Sequence, residues 1–432
     1  MQISVRNATA VGLGAIIGAG IFVLSGTAVA LAGPYSLLAF ILVGIVALIL
    51  AMIMSELGSI MPYAKGASYS FAYNAFGSEI GFITGIALYM SFATAIGAIA
   101  LGFGSYLASL VGLSYARAFA ILIILALAVV NILGISKAAK TDFVLVAIKL
   151  SILALFAAFA IFFASRSGFS ATASNFSAKG FELGSIFAAS VAVFFAYSGF
   201  QTISTFTSKI KGGSEGAKKA IVGSVVISLV VYVLIDVSLL MLAPASSYRI
   251  TADPLSFALH SAKAPQWIAV LVDVGALIAT TSAALAMILS SARISYQLSE
   301  DGLLPRFFRK YDEEKDVPVN GVWLASFIGI AVLFAGNIYV IASISNFGLL
   351  ISYLITALAQ IHFRRQNRKI NIRTPFYPYS TVLVIILLLA FLFGMPRESL
   401  LVGNIVVLFL LIIYYFFREL KNKKPVKIRI FD

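Results

Sequence analysis

The sequence predicts an all-α polytopic membrane protein with twelve transmembrane helices. Composition comes first: 61% of the 432 residues are hydrophobic and only 11% are charged, with a mean hydropathy of +1.02. Soluble domains run at roughly 45–50% apolar and 25% charged. The apolar residues also gather in runs of about 20, the length of helix that crosses the hydrocarbon core of a bilayer. Lys and Arg, finally, fall on alternate sides of successive runs, as the positive-inside rule demands of a real spanning protein.

Taken in order, the spans lie near 8–32, 35–61, 80–112, 118–135, 142–164, 183–207, 219–243, 265–290, 317–336, 339–361, 377–395 and 398–417. The first run has no small-residue cleavage site behind it, so it is expected to stay in the protein. With the N-terminus in the cytoplasm, the inner loops carry Arg6, Lys65, Lys137, Lys140, Lys209, Lys211, Lys218, Lys219, Arg293, Arg306, Arg309, Lys310, Lys315, Arg364, Arg365, Arg368, Lys369, Arg373, Arg418 and the basic tail after it. The outer loops carry only Arg117, Arg166, Lys179, Arg249, Lys263 and Arg397. This bias puts both termini in the cytoplasm and accounts for the net charge of +14 without nucleic acid. The mixed-charge segment 299–319 reads as a solvated cytoplasmic connector.

The sequence has no Cys, which excludes disulfides, thiol catalysis, zinc knuckles and iron–sulfur clusters. His260 and His362 stand far apart, outside any metal-ligand spacing, so no metal or other cofactor is expected. Neither a phosphate-binding Gly-rich loop nor a Ser/His/Asp set is present, and no soluble segment is large enough for ATP hydrolysis. A membrane enzyme or sensor is therefore a remote alternative to a transporter.

Two spans carry small-residue clusters at membrane depth. The first reads Gly12-Leu13-Gly14-Ala15-Ile16-Ile17-Gly18-Ala19-Gly20-Ile21-Phe22, four glycines in nine residues. Glycine costs about 1 kcal/mol per helical position relative to Ala, and unwound backbone in a membrane survives only when buried in protein or lining a cavity. The cluster signals either a broken helix or close packing, since Gly14 and Gly18 also form a GxxxG pair. Span 6 has a similar interruption in Phe194-Phe195-Ala196-Tyr197-Ser198-Gly199-Phe200-Gln201. Five spans separate equivalent points, an odd number, so the second unit would run opposite to the first and the two breaks would meet as an inverted pair. Half-helix N-termini favour a carboxylate and unwound carbonyls accept from an ammonium group, an arrangement suited to a zwitterion.

These two segments, with 62–77 ending in Ala75-Phe76-Gly77 and with Ser291-Ala292-Arg293-Ile294-Ser295-Tyr296 through Asp301-Gly302-Leu303-Leu304-Pro305, resemble the amino acid–polyamine–organocation (APC) transporter superfamily over spans 1 to 10. The resemblance implies a five-plus-five inverted repeat with discontinuous helices 1 and 6, plus two C-terminal helices. Residues 1–179 would form the first repeat, 180–374 the second, and 375–432 the last two spans and the basic tail. It further implies that Ile16, Gly18, Ala19, Gly20 and Ile21 hold a substrate carboxylate and that Phe195, Ala196, Tyr197, Ser198 and Gly199 surround its amine, with Phe195 as an aromatic gate. Core packing is the competing reading of Phe195. Departures from the family pattern are Gln201, where an acidic residue is common, and Ser208-Lys209-Ile210-Lys211-Gly212-Gly213 in place of a Glu-rich connector.

Lys149 lies about seven residues, or roughly 10 Å at the helical rise, inside span 5. A charged Lys at such depth costs on the order of 3 kcal/mol, and desolvation disfavours its charged form, so it can cycle between protonated and neutral states. In proton-coupled members of the superfamily a lysine here takes the place of a sodium ion; Lys149 matches that pattern, with Thr281 and Ser282 of span 8 as neighbours. A permanently charged Lys in an exchanger, or one that snorkels to the cytoplasmic face, are the other readings. Glu56, Asp236 and Asp273 read as packing or vestibule groups.

The functional expectation is secondary active import of small neutral amino acids across the plasma membrane, coupled to protons through Lys149. Ion-independent amino acid or amine exchange is the alternative. The partners implied are the amino acid, the proton and the lipid bilayer.

Overall fold

The computed structural model describes residues 3–61, 68–134, 139–177, 180–201, 203, 210–366 and 370–421. Lys65, Lys137, Lys179, Lys209, Arg368, Lys369, the basic tail after residue 421, the first part of the 62–77 motif and Ser208 lie outside them. The chain is helical almost throughout: α1 (Val5–Ile16), α2 (Ala19–Ala32), α3 (Ser36–Ile60), α4 (Ser68–Phe76), α5 (Ser78–Val111), α6 (Ala116–Ile132), α7 (Ala139–Ser167), α8 (Phe169–Ser174), α9 (Leu183–Tyr197), α10 (Gly213–Leu242), α11 (Pro254–Ser261), α12 (Gln266–Glu300), α13 (Val319–Val332), α14 (Ile338–Arg365), α15 (Tyr379–Phe393) and α16 (Arg397–Lys421). A short antiparallel hairpin, β1 (Tyr311–Asp312) and β2 (Val317–Pro318), pairs Tyr311 with Pro318 and Asp312 with Val317.

Among the described residues, seven helical stretches are long and apolar enough to cross a membrane: Ala19–Ile60, Ser78–Val111, Val144–Ser167, Gly213–Leu242, Gln266–Glu300, Ile338–Arg365 and Arg397–Phe416. Shorter apolar helices occupy Ala116–Ile132, Leu183–Tyr197, Val319–Val332 and Tyr379–Phe393. The molecule is thus a polytopic helical membrane protein. Within it α5 is the central post, packed against α12, α14, α13, α6 and α4. At the margin, α15 and α16 leave Ile386, Leu389, Phe393, Leu401, Ile405 and Phe409 exposed. Apolar side chains facing outward on apolar helices are what a lipid solvent requires.

The apolar run of span 8 ends near residue 290, yet α12 continues to Glu300. The added turns are too polar for lipid but are buried in protein: Ser295, Leu298 and Ser299 are fully covered. Arg309 then clasps the helix end, its Nε and Nη2 donating to the Ser299 carbonyl at 2.9 and 2.6 Å. The connector is therefore partly built rather than simply solvated. At the same end Tyr69 of α4 donates to Asp301 Oδ2 at 2.6 Å, and Gln297 Nε2 reaches both carboxylate oxygens at 3.2 and 3.1 Å. Burial pushes the Asp301 carboxyl up from its ordinary range, and the Tyr69 and Gln297 donors pull it back.

A second polar knot joins α3 to α14 and α15. Glu56 is wholly buried, and its carboxylate accepts from Arg364 Nε and Nη2 at 2.5 and 2.8 Å, from Gln360 Nε2 at 2.8 Å and from the Thr374 N–H at 2.7 Å. Arg364 also lies over the Tyr377 ring at 4.4 Å, and Thr381 of α15 donates to Gln360 Oε1 at 2.7 Å. A buried charge without its partner is far costlier than the pair is beneficial. Arg364→Ala is accordingly expected to destabilise the protein by about 3–5 kcal/mol, with Arg364→Lys intermediate because it loses the two-pronged geometry. Thermal unfolding in detergent would test this: equal midpoints for the wild type and Arg364→Ala would show that the pair does not anchor α3.

Candidate functional site

The helix of span 1 is interrupted among its glycines. α1 stops at Ile16, Ile17 and Gly18 leave helical geometry (φ −77°, ψ 61° and φ −93°, ψ −135°), and α2 restarts at Ala19. Gly18 has no side chain with which to cap α2, so the first-turn N–H groups of Ala19, Gly20 and Ile21 lack an intrahelical acceptor and mark the positive end of that helix dipole. The glycines divide into two roles. Gly18 sits at the break, whereas Gly12 and Gly14 lie inside α1, where a Cβ would strike Ile203 and Ser224 or Val146.

Span 6 is interrupted after Tyr197. Ser198 turns to extended geometry (φ −60°, ψ 147°) and Gly199 takes φ +111°, a region that favours glycine. The Phe195 carbonyl accepts from the Ser198 N–H at 3.3 Å and from its hydroxyl at 2.8 Å. The Ala196 carbonyl lies in the last turn of α9, beyond the reach of an intrahelical donor four residues on.

The two breaks touch. A Cβ on Gly20 would lie 2.3 Å from Ala196 Cα, and one on Gly199 would lie 2.5 Å from the Ala15 carbonyl oxygen. Tyr232 of α10 fastens the junction: its hydroxyl is 2.8 Å from the Ile16 carbonyl and 2.8 Å from the Ala196 carbonyl, so one proton is shared between the ends of α1 and α9. Tyr232 is fully buried and stacks edge-on against Tyr197, with 4.9 Å between ring centroids. Tyr197 itself faces α3, its hydroxyl donating to the Phe40 carbonyl at 3.3 Å, so its side chain leaves the junction. Phe194 and Phe200 both pack on Tyr353 of α14, whereas Phe195, though buried, joins no aromatic ring pair among the described residues. Phe195 nonetheless belongs to the same buried hydrophobic cluster as Phe194, Phe200 and Tyr353. Tyr353 also donates to Gln201 Oε1.

Lys149 is 3% exposed, and its Nζ donates to the Gly14 carbonyl at 3.5 Å, reaching from α7 to the last turn of α1. Thr281 and Ser282 lie on α12 just before Ala283, whose Cβ would be 3.3 Å from a Cβ on Gly18. Both are half-buried, and the Ser282 hydroxyl is turned back to the Ala279 carbonyl at 3.0 Å.

The sequence signature of the amino acid permease family covers residues 3–418. The chain belongs to that family, within the APC superfamily. This permease is 28% identical over 416 residues to the methylthioribose transporter of Bacillus subtilis (strain 168), spanning 91% of this chain and 88% of the relative. It is 27% identical over 389 residues to the branched-chain amino acid permease BcaP of the same organism, spanning 85% and 81%. A cationic amino acid transporter of Arabidopsis thaliana, number 4, vacuolar, is 26% identical over 382 residues, spanning 84% of this chain and 63% of the relative. The permease is a membrane transporter, not an enzyme, and amino acid transport is its activity at the level of the family.

Sequence reasoning missed Tyr232, Tyr353 and Tyr106, whose hydroxyl donates to the Phe22 carbonyl of α2, since nothing local sets a single Tyr apart in a chain with 18 of them. For Tyr232→Phe we expect a folded permease with apparent substrate affinity weakened roughly tenfold, because a buried carbonyl that loses its donor costs about 1–3 kcal/mol. Uptake kinetics would show a raised KM; a wild-type KM would mean that the junction holds without the hydroxyl.

Proposed function

We propose that this permease imports small neutral amino acids by alternating access, with the proton gradient as the driving force and Lys149 as the coupling group. The contact between the two breaks carries the reading. It sets bare N–H groups of Ala19, Gly20 and Ile21 beside the carbonyl ends of α1 and α9, the pairing that a zwitterion needs. No residue of 16–21 or 195–201 is charged, and Gln201 is engaged by Tyr353, so these two segments offer a cationic side chain no carboxylate. Neutral side chains are the better fit.

In this reading Ile16, Gly18, Ala19, Gly20 and Ile21 receive the carboxylate, Phe195, Ala196, Ser198 and Gly199 the amine, and Phe195 closes over the substrate. The side chain of Tyr197 acts as a brace. Twelve spans are arranged as inverted repeats 1–179 and 180–374 followed by 375–432, with both termini in the cytoplasm of a cell whose plasma membrane holds the protein. Lys149, with Thr281 and Ser282 of α12 as the neighbours this reading calls for, alternates between a charged donor to α1 and a neutral one.

Uptake into proteoliposomes under an imposed pH gradient tests the proposal. Accumulation of alanine-sized or branched-chain neutral amino acids that collapses with the gradient is expected, and sodium-driven uptake indifferent to pH would refute the coupling. The likeness to a methylthioribose transporter supports a second reading, a neutral solute without the amino acid backbone. Methylthioribose that outcompetes every neutral amino acid would select it.

A further inference from the structure

A carboxylate outside the two breaks is also buried, with no ion-pair partner among the described residues. Asp273 of α12 is 3% exposed; its Oδ2 lies 3.4 Å from the Ser256 hydroxyl of α11, and its Oδ1 is buried with no hydrogen-bond partner among the described residues. Ser256 serves several neighbours at once. Its hydroxyl is 3.1 Å from the Ser109 hydroxyl of α5 and 3.4 Å from His260 Nδ1, while Nδ1 stands 2.8 Å from the Ser256 carbonyl. The groups that face Asp273 electrostatically are His260 of α11, Asp253 at the start of α11 and Tyr106 of α5. His260 is exposed, so the chain from Asp273 through Ser256 ends in solvent.

We infer that Asp273 is a second proton-binding site, loaded at the junction of α11, α12 and α5. An ionised carboxylate in this place would set a buried charge against one long hydrogen bond, an expensive state. A proton on Oδ1 removes the charge. The junction is placed to matter in transport because α11 rests on α2, the half-helix that offers its N–H groups to the substrate: a Cβ on Gly26 would lie 2.3 Å from Pro254 Cβ. Tyr106 holds the same half-helix, donating to the Phe22 carbonyl at 2.5 Å. While α11 is docked, Asp273 is dry and keeps its proton; when α11 lifts from α2, water reaches the carboxyl and ionisation becomes affordable. The role of this proton in driving import rests on the proton-coupled reading above, but its presence on Asp273 does not.

Infrared difference spectra of the full-length protein in lipid at neutral pH read the site directly. The wild type minus Asp273→Asn is expected to contain a carboxylic-acid C=O stretching band that shifts to lower wavenumber in D2O. Asp273→Glu should restore such a band, which keeps the test sharp if the Asn variant folds poorly, and Asp236→Asn should leave it in place. A difference spectrum showing only carboxylate bands overturns the inference. In proteoliposomes, Asp273→Asn should still bind substrate but lose the response of uptake to pH on the α11 side; an undiminished response would also count against the site. If wild-type uptake ignores pH altogether, proton-coupled import fails, while the infrared band still decides whether Asp273 carries a proton.

Discussion

Lys149→Ala is expected to lower uptake under an imposed pH gradient at least tenfold, to the rate seen without a gradient, while substrate exchange at equal pH persists. Lys149 Nζ reaches across from α7 to the Gly14 carbonyl, in the last turn before the interruption of span 1. A hydrogen bond from a charged donor contributes about 1.5–3 kcal/mol, against about 1 for a neutral one. At the 3.5 Å observed the difference falls toward its lower end, so loss of the proton weakens the hold on α1 by an amount that corresponds to a change of about threefold in a two-state equilibrium. α1 is the natural moving part, because it is already severed from α2 at Ile17 and Gly18. Lys149→Met preserves most of the volume and should behave like the Ala variant if the charge matters. A Met variant that still follows the pH gradient would assign the lysine a packing role.

How much of this was legible in the sequence varies with the range of the interaction. Apolar runs register contact with lipid, so most helix positions could be read, but a run marks where a helix leaves the membrane rather than where it stops. α12 illustrates the difference: Ser291, Arg293 and Ser295 end the apolar pattern, yet the helix persists to Glu300 because Leu298 packs on Gly85 of α5 and Ser295 on Gly321 of α13. The glycine cluster could be read as a break or as a packing face, and both occur: the break at Gly18, and packing at Gly12 and Gly14 before it and at Gly20 after it. Only the partners Ile203, Ser224 and Val146 reveal which glycine does which. Side chains that join distant elements left no local signal. Glu56 meets Arg364 across a separation of 308 residues, and Tyr232 meets Ile16 across 216. The short helices α4, α8 and α11 escaped hydropathy entirely, since none is long enough to span lipid.

The second large effect concerns Gly20. The distance from a Cβ at this position to Ala196 Cα would be 2.3 Å, with Ala196 Cβ at 2.8 Å and Ala196 N at 2.9 Å. The obstacle is mostly backbone, which cannot rotate aside as a long side chain would, so any residue larger than glycine must push α2 away from α9. Overpacking a filled interior costs about 1–3 kcal/mol, and here the strain falls on the junction itself: the Ile16 and Ala196 carbonyls would separate, and one Tyr232 hydroxyl could no longer reach both. Gly20→Val should therefore bind substrate about a hundredfold more weakly, equivalent to two tenfold steps of 1.4 kcal/mol each. Gly184→Ala in α9 supplies the contrast, because a Cβ there meets nothing within 4 Å; it should bind like the wild type and, as a helical Gly replaced by Ala, be stabilised by up to about 1 kcal/mol. Thermal shifts with and without neutral amino acids would separate the two outcomes. A folded Gly20→Val protein that keeps the full ligand-induced shift would mean that substrate does not sit where α2 and α9 meet, and the functional reading built on that contact would have to move elsewhere in the bundle.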